Sequence, residues 1–122
     1  MAKSYGSVVN RLMENKHFHL PKVGEDVTEC LWSDREAYHC IEVSKDGRTA
    51  TLRRYQPKFV GSGYGDERYE FVDDNGNLLL SLMTIKVRFK YNKWRVLYED
   101  GKTGGIKNLA WGVRSEYRDP SF

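Results

Sequence analysis

The stretch KVRFKYNKWRVLYEDG, residues 86–101, contains the pattern that decides the fold. Apolar and charged side chains alternate on both sides of a turn at Asn92-Lys93, and Asp100-Gly101 marks the next turn. Alternation with a period of two is typical of half-buried strands, and an Asp-Gly pair is typical of hairpin loops. The Asn92-Lys93 loop gives three opposed pairs: Tyr91 with Trp94, Phe89 with Val96, and Val87 with Tyr98. The stretch therefore predicts a β-hairpin with one apolar face, and the second strand of this hairpin ends at Asp100-Gly101.

Two more hairpins are predicted by the same pattern. With Asp46-Gly47 as a two-residue loop, the opposed pairs are Val43 with Ala50 and Ile41 with Leu52. With Asn75-Gly76 as the loop, they are Val72 with Leu79 and Phe71 with Leu80. All of these pairs are apolar, so each register is self-consistent. Three such hairpins predict an antiparallel β-meander, and closure into a small barrel or a strongly curved sheet would remove its exposed edges.

Three segments depart from the strand pattern. Residues 7–16, SVVNRLMENK, predict one short helix, because four apolar side chains recur at helical spacing and Ser7 can cap its start. The run GSGYGD at 61–66 is expected to connect two strands. The tail from 104 to 122 lacks alternation, and one helical turn is expected near Arg114 to Arg118. The predicted fold class is mainly β: a small antiparallel meander or barrel-like domain with one short N-terminal helix.

Length and charge limit the function classes. The 122 residues are expected to form a single domain, 1–122, because compact domains cluster near ~100–150 residues. The chain has 20 Lys+Arg and 17 Asp+Glu, a net charge of +3. A nucleic-acid-binding arm would show a larger and more clustered excess, so this balance permits anionic partners without requiring them. The 3 Trp, 8 Tyr and 5 Phe make aromatic side chains unusually frequent for a small domain.

The sequence also predicts the compartment. The longest apolar run, 78–80, is too short for a membrane span, and the N-terminus lacks the apolar region of a secretory signal. We therefore expect a cytoplasmic protein in which Cys30 and Cys40 stay reduced. The two cysteines flank a turn-like run at 33–36, and in one interpretation they face each other across a hairpin. The cysteines and the three histidines lack zinc-ligand spacing, so no metal site is expected.

Catalytic motifs are absent from the sequence. It contains no Gly-x-Ser-x-Gly elbow, no His-Glu-x-x-His pair and no paired Cys/His nucleophile site. The glycine-rich run at 61–66 lies between predicted strands and does not open a helix, as a phosphate-binding loop requires. It is therefore interpreted as a mobile loop that could become ordered over a ligand. We expect a binding protein without enzymatic activity and without a cofactor.

Basic side chains share one face of the predicted hairpin. Lys86, Arg88 and Lys90 alternate with apolar residues. The predicted register sets Lys90 opposite Arg95 and Lys86 opposite Glu99, so the second pair is partly neutralised. Two interpretations stay open: the solvated outer face of a half-buried sheet, or a platform for a phosphate-bearing ligand.

The tail holds a second cluster. Residues 111–118, WGVRSEYR, place Arg114 and Arg118 four apart, on one face if the turn is helical. Guanidinium groups bind pyrophosphate oxygens in bidentate geometry, so this pair is a candidate phosphate site. Trp111 and Tyr117 either stack on a base or pack in the core.

Two parts of the sequence resemble a known family. The first consists of WSDR at 32–35, AY at 37–38 and EVSKDGRT at 42–49, and the second is the closing GVRSEYRDPSF at 112–122. Together with the length, these motifs resemble the phage anti-Thoeris sponge family, the first type of Thoeris anti-defence protein. The resemblance covers nearly the whole chain. Two residues depart from the expected pattern, since Asn108 and Trp111 stand where more basic or aliphatic residues are expected in relatives.

The resemblance implies a phage or prophage immune-evasion protein that acts in the host bacterial cytoplasm. Members of the family sequester cyclic ADP-ribose isomers made by TIR-domain immune proteins without cleaving them, and so block Thoeris signalling. Some also hold cyclic oligonucleotides, and members assemble as homo-oligomers. The implied partner of this chain is therefore a small cyclic nucleotide, with no membrane and no nucleic acid among its partners.

The resemblance also implies site residues. Arg114 and Arg118 carry over from the closing motif as phosphate contacts, and Trp32 and Arg35 belong to the other shared motif. The chemistry of the basic hairpin adds three candidates for phosphate, base or ribose contacts: Arg88, Phe89 and Asn92. An adenine needs an aromatic platform, and its riboses need hydrogen-bonding side chains.

Two other functions compete with this hypothesis. Small β-barrel domains with aromatic residues and a basic strand face also bind single-stranded nucleic acids. The same cyclic signal could instead be a hydrolase substrate. A steep dependence of affinity on salt would indicate nucleic-acid binding, and release of an altered ligand would indicate hydrolysis.

Overall fold

A computed structural model describes residues 18–62 and 68–117 of the chain. The predicted helix at 7–16 lies outside these residues, as do most of the 61–66 run and Arg118. The described part consists of strands, turns and irregular segments, with no helix. Within the described ranges, nine strands follow one another: β1 (Asp26–Cys30), β2 (Arg35–Val43), β3 (Thr49–Tyr55), β4 (Lys58–Phe59), β5 (Tyr69–Glu70), β6 (Leu80–Lys90), β7 (Lys93–Leu97), β8 (Thr103–Ile106) and β9 (Leu109–Trp111).

Seven of these strands form one antiparallel sheet in the order β8-β7-β6-β3-β2-β1-β9, and β4 pairs with β5 in a separate ribbon. Four hairpins connect sequence neighbours within the sheet: β1–β2, β2–β3, β6–β7 and β7–β8. The predicted mainly-β, antiparallel fold is confirmed. Within the described ranges, no helix is long and apolar enough to cross a membrane.

One extended segment links the two edges of this sheet. Its first half, β8, pairs with β7, and its second half, β9, pairs with β1. Between them, the Lys107 N–H donates to the Trp94 carbonyl (2.9 Å), and the Cys30 N–H donates to the Asn108 carbonyl (2.8 Å). The sheet therefore curls until both edges meet the same segment. The expectation that the tail is not strand-like is wrong for residues 104–106 and 109–111, because their backbone groups find partners although their side chains do not alternate.

A turn forms at Asp46-Gly47, but its loop is longer than the predicted two residues, because the Gly47 N–H donates to the Ser44 carbonyl (3.0 Å) and the Ser44 N–H donates to the Thr49 carbonyl (2.8 Å). The predicted pair of Val43 with Ala50 is confirmed, but the register beyond it shifts. The observed pairs are Val43 with Ala50, Glu42 with Thr51 and Cys40 with Leu52. The predicted pairing of Ile41 with Leu52 is wrong, because a bulge leaves Ile41 40% exposed and lets Cys40 face the core. A bulge adds one residue to one strand, which a pattern of apolar side chains does not reveal.

The two cysteines do not face each other. Cys30 lies opposite Arg35 across the β1–β2 hairpin, whereas Cys40 lies further along β2 in the core. Both are free thiols. Burial raises the pKa of the Cys40 thiol to about 11, so this group is unreactive at neutral pH.

The hairpin at residues 86–101 has a different loop from the predicted one. Tyr91 and Asn92 both have positive φ angles, 55° and 61°, which a two-residue type I′ loop requires. The observed pairs are Lys90 with Lys93, Phe89 with Trp94, Arg88 with Arg95 and Val87 with Val96. The predicted register is therefore wrong by two residues. A shift of two keeps the alternation of faces, but it moves Tyr91 from the apolar face to the tip of the hairpin.

The turn at Asn75-Gly76 is present with a longer loop than predicted. The Leu79 N–H donates to the Phe71 carbonyl (2.8 Å), so these two residues oppose each other and the predicted register is wrong by one. Gly76 has a φ of +84°, and Asp73 Oδ1 accepts hydrogen bonds from two backbone N–H groups of the loop. A left-handed glycine after a type I turn is typical of three-residue loops.

The inner face of the curled sheet forms one apolar core. Trp111 on β9 is fully buried, and its ring centroid lies 5.0 Å from that of Trp94 on β7. Phe18 contacts Phe89 edge to face at 5.0 Å, and His19 stacks on Trp111 at 5.1 Å. Burying one large apolar side chain contributes ~1.5–3 kcal/mol, so this cluster stabilises the curled form. The buried cluster comprises Val27, Tyr38, Cys40, Ala50, Leu52, Val87, Phe89, Trp94, Leu109 and Trp111.

Residues 112–117, which we call the strap, cross the outer face of β1. The Thr28 hydroxyl donates to the Val113 carbonyl (2.7 Å) and accepts from the Ser115 N–H (3.0 Å). Tyr117 then pairs with Arg35 at the start of β2. The helical turn expected here is wrong for the described residues 113–117, because the strap's polar groups bond to β1 and β2 rather than to one another.

Candidate functional site

Five basic side chains on β6 and β7 lie on the face of the sheet opposite the core. We call this set the cationic face: Lys86, Arg88, Lys90, Lys93 and Arg95. Across the hairpin, Arg88 lies directly opposite Arg95 and Lys90 directly opposite Lys93. The predicted pairings of Lys90 with Arg95 and of Lys86 with Glu99 are wrong, because the loop is Tyr91-Asn92. The observed register opposes two pairs of like charges, where the predicted register opposed one.

Few carboxylates compensate these charges. Arg88 donates to the Thr49 hydroxyl (2.7 Å), and its Nη2 lies 3.6 Å from Asp46 Oδ2. Hydrogen bonds from the Ser44 hydroxyl and the Arg48 N–H hold the pKa of Asp46 below its usual value, so this carboxylate is ionised at neutral pH. In the described part of the chain, no carboxylate lies within ion-pair distance of the other four members of the cationic face. Like charges directly opposite each other destabilise a sheet, so these pairs favour an anionic ligand.

Tyr91 lies at the tip of the cationic face and is 74% exposed. Lys90 Nζ lies 5.2 Å from its ring centroid, and Arg95 Cζ lies 5.6 Å from it. Asn92, a predicted site residue, is exposed beside it. Phe89, predicted as a base contact, instead lies in the core, 7% exposed and 5.4 Å from Trp94. The left-handed preference of Asn92 was the signal that could have placed Tyr91 in the loop.

Arg114 lies in a different environment, among polar and aromatic groups at the outer side of the sheet. Its Nη1 donates to the Tyr55 hydroxyl (3.4 Å), and its Nε is 3.8 Å from Asp26 Oδ2. The guanidinium carbon lies over the Tyr55 ring at 5.6 Å and over the Phe71 ring at 5.2 Å. His39 completes the cluster, with Nδ1 2.9 Å from Asp26 Oδ1. Arg114 is thus partly neutralised, although its side chain keeps 35% exposure.

The Tyr55 hydroxyl connects this cluster to β3. It donates to Asp26 Oδ1 at 2.7 Å, and the ring is almost completely buried. Burial, together with the hydrogen bond to Asp26, raises the pKa of Tyr55 to about 12. The phenol therefore stays protonated at any physiological pH, and Asp26 acts as its acceptor.

Arg54 anchors the strap through a buried ion pair. Its Nη1 and Nη2 donate to the two carboxylate oxygens of Glu116 at 2.9 and 2.8 Å. The exposed fractions of the two side chains are 11% and 4%. Glu116 also accepts a hydrogen bond from the Ala37 N–H (3.1 Å). This bidentate arrangement positions the strap and has no access for a ligand.

Trp32 lies at the turn between β1 and β2 and is 96% exposed. It lines a cavity of about 530 Å³ together with the end of β1 and the link between β8 and β9. Arg35 follows the same turn, where its backbone pairs with Tyr117 and its guanidinium lies 5.9 Å from the Tyr117 ring. Trp111, a candidate for base stacking, instead packs in the core.

The structure therefore separates the predicted site residues into three groups. Arg88 and Asn92 lie on the β6–β7 hairpin, Trp32 and Arg35 flank the β1–β2 turn, and Arg114 lies on the strap. Arg118 lies outside the described residues. The sequence did not predict Lys93 and Tyr91 as site residues, because the loop was placed one residue too late in the chain. No protein-family model, curated protein or solved structure matches the chain.

Proposed function

We propose that the protein binds small phosphate-bearing cyclic nucleotides non-covalently and sequesters them, and that its ligands are cyclic ADP-ribose isomers. The observation that carries the proposal is the cationic face, in which Arg88 opposes Arg95 and Lys90 opposes Lys93. A pyrophosphate would neutralise both pairs, and guanidinium groups match its oxygens in bidentate geometry. The resemblance to the anti-Thoeris sponge family supports the choice of cyclic ADP-ribose isomers within this ligand class.

In this proposal the protein acts in a bacterial host cell during phage infection or from a prophage. It lowers the free concentration of the immune signal, and the downstream effector then stays inactive. The ligand leaves unchanged, since the protein supplies binding and no chemistry. Arg114 and Arg118 are additional phosphate contacts on the strength of the resemblance, and homo-oligomers are the expected assembly.

Capture and release test this function directly. The protein is mixed with a cyclic ADP-ribose isomer, free ligand is removed by gel filtration, and the complex is denatured by heat. We expect intact ligand in the released fraction, in proportion to the protein. An altered product would indicate a hydrolase. Absence of any bound ligand at micromolar protein would overturn the proposal.

Charge-matched variants test the site. The double variant Arg88→Gln/Arg95→Gln removes two cations from the cationic face, and Lys22→Gln/Lys102→Gln removes two exposed cations elsewhere. Hydrogen bonds to charged groups contribute ~1.5–3 kcal/mol, so we expect the first variant to weaken binding at least roughly 10-fold. The control should bind within about twofold of the wild type, because screened charges outside the site contribute little. Equal losses in both variants would show that only net charge matters.

A second candidate function is single-stranded nucleic-acid binding. The observation that favours it is Tyr91, an exposed aromatic ring at the tip of a strand face with five cations. Such combinations track a phosphate backbone and stack bases. The two functions differ in salt dependence, because each phosphate contact with a single strand contributes a slope of about −0.7 in log affinity against log salt. A slope near −1 favours a small nucleotide, and a slope of roughly −3 or steeper favours a nucleic acid.

A further inference from the structure

Trp32 differs from the other two tryptophans of the chain. Trp94 and Trp111 are 4% and 0% exposed in the core, whereas Trp32 is 96% exposed. An indole ring exposed to this extent offers a free aromatic surface on which a base can stack. The exposed ring also borders a cavity of about 530 Å³, within the size range of small-molecule sites.

The position of this ring relative to the cationic face follows from the strand registers. Arg88 pairs with Arg95, and Arg95 pairs with Ile106 on β8. Ile106 lines the same cavity as Trp32. Neighbouring strands lie about 4.8 Å apart, so the cavity begins one strand away from Arg95. The cationic face and the Trp32 cavity are therefore contiguous on the outer surface.

The lining of the cavity suits a nucleobase. Trp32 supplies a large flat ring, and the half-exposed Ile106 supplies an apolar wall. Asn108 is exposed at the rim, and its carboxamide offers one donor and one acceptor to a base edge. The Glu29 carboxylate in the lining is compensated by Lys107, with Nζ 3.2 Å from Oε2. The cavity thus presents little uncompensated negative charge to a nucleotide.

Tyr91 is the competing aromatic group. It borders the cationic face as well, but Lys90 and Arg95 already lie over its ring. The Trp32 ring instead borders an open cavity that the side chains of the β8–β9 link also line. A base is better held where a ring and a cavity wall enclose it on two sides.

We propose that Trp32, Ile106 and Asn108 form a base subsite adjoining the cationic face, and that a nucleotide spans the two. Its phosphates contact Arg88 and Arg95, and its base stacks on Trp32. Only the phosphate contacts of this inference rest on the proposed function. The base subsite consists of different residues, and Trp32 fluorescence reports it separately.

Tryptophan fluorescence and calorimetry of the full chain with three probes test the proposal. Inorganic pyrophosphate reports the cationic face, adenosine reports the base subsite, and ADP reports both. Because the other two tryptophans are buried, quenching by adenosine reports Trp32. The variants are Trp32→Ala, Trp32→Phe and Tyr91→Ala, with thermal melting to establish that each folds.

We expect Trp32→Ala to weaken ADP binding by roughly 5- to 150-fold and to leave pyrophosphate binding unchanged, as loss of one base stack requires. Trp32→Phe should restore part of the loss, and Tyr91→Ala should leave ADP affinity within about twofold. ADP binding that is unchanged in Trp32→Ala, or lost in Tyr91→Ala instead, would overturn the base subsite while leaving the phosphate site intact. If pyrophosphate fails to bind the wild type but adenosine quenches Trp32, the subsite stands and the proposed phosphate site fails.

Discussion

Arginines lie both on the cationic face and beside or within the strap, but the two regions differ in how their charges are compensated. On the strap side, Arg54 lies in a buried bidentate pair with Glu116, and Arg114 lies 3.8 Å from Asp26. On the hairpin, Arg88 and Arg95 face each other across two strands. The first arrangement compensates the arginine charges within the fold, and the second leaves two like charges opposed.

This difference shows that arginine clusters in a sequence carry no fixed meaning. The strap arginine looked like the sharper phosphate site because its motif is compact, yet Asp26 and two aromatic rings already surround it. On the hairpin, only Lys86 was predicted to be partly neutralised, and the observed register opposes two like-charged pairs instead of one. Four predictions test the contrast, from the largest expected effect to the smallest.

The largest effect is expected for Arg54→Ala. Removing one partner of a buried pair leaves an uncompensated carboxylate on Glu116, which costs about 3–5 kcal/mol of unfolding free energy. Urea denaturation measures it, with Arg95→Ala as the matched control on the cationic face. A loss below about 1 kcal/mol for Arg54→Ala would mean that the pair does not hold the strap.

The second prediction concerns alkaline pH. The pKa of Tyr55 is about 12 in the folded chain, because of burial and the hydrogen bond to Asp26, against an ordinary value near 10. The unfolded chain therefore loses this proton first, so stability is complete below pH 10 and falls as pH rises towards 12. The slope is about 1.4 kcal/mol per pH unit from this residue.

Urea titrations across that pH window measure the slope, and Tyr55→Phe should reduce it. Tyr38, whose pKa burial and the neighbouring Glu29 carboxylate also raise to about 12, and Cys40, whose pKa burial raises to about 11, add to the dependence on pH. An identical slope in Tyr55→Phe and the wild type would show that the titration of Tyr55 does not cause the pH dependence.

The third prediction concerns Arg114→Ala. Its ion pair with Asp26 is long (3.8 Å) and its side chain is 35% exposed, so we expect a stability loss of only about 1 kcal/mol. Asp26 offsets much of its charge, so the affinity for a cyclic ADP-ribose isomer should fall by about fivefold, less than for Arg88→Gln/Arg95→Gln. Isothermal titration measures both variants. Unchanged affinity would remove Arg114 from the site, and a larger loss than for the hairpin variant would reverse the comparison.

The smallest effect is expected for the stability of Arg88→Gln/Arg95→Gln. Relief of a directly opposed like-charge pair should raise the unfolding free energy by ~0.2–1 kcal/mol at low salt. The gain should shrink at high salt, because exposed charges are screened. A stability loss at both salt concentrations would show that these arginines support the sheet.

Sequence patterns predicted turns well and registers poorly. The turns at Asp46-Gly47, Asn75-Gly76 and Asp100-Gly101 are all present, because glycine with positive φ is a local requirement. The registers were wrong by one residue at Phe71 and by two at Tyr91, since loop length depends on backbone angles that several residues share. The consequence for the site was large, because the shift of two moved Tyr91 from the apolar face to the exposed tip of the hairpin.

In the tail, the sequence pattern failed to predict the strands themselves. Its glycine-rich start has no alternation and predicted no strand, yet it forms β8 and β9 between two sheet edges. Only the curled sheet places β7 and β1 on either side of it, and their unpaired backbone groups then impose the extended conformation. The intrinsic strand propensity of this segment does not depend on β1 and β7, so it could not predict the pairing.

The sequence by itself determined the antiparallel strands, the turn positions and the alternation that puts Lys86, Arg88 and Lys90 on one face, because each depends on neighbours in the chain. Only the tertiary structure decided which cations oppose one another, which arginines have carboxylate partners, and that Trp32 borders a cavity beside the cationic face. Those relations join residues far apart in sequence, and the curled sheet sets them through backbone hydrogen bonds that any residue except proline can make.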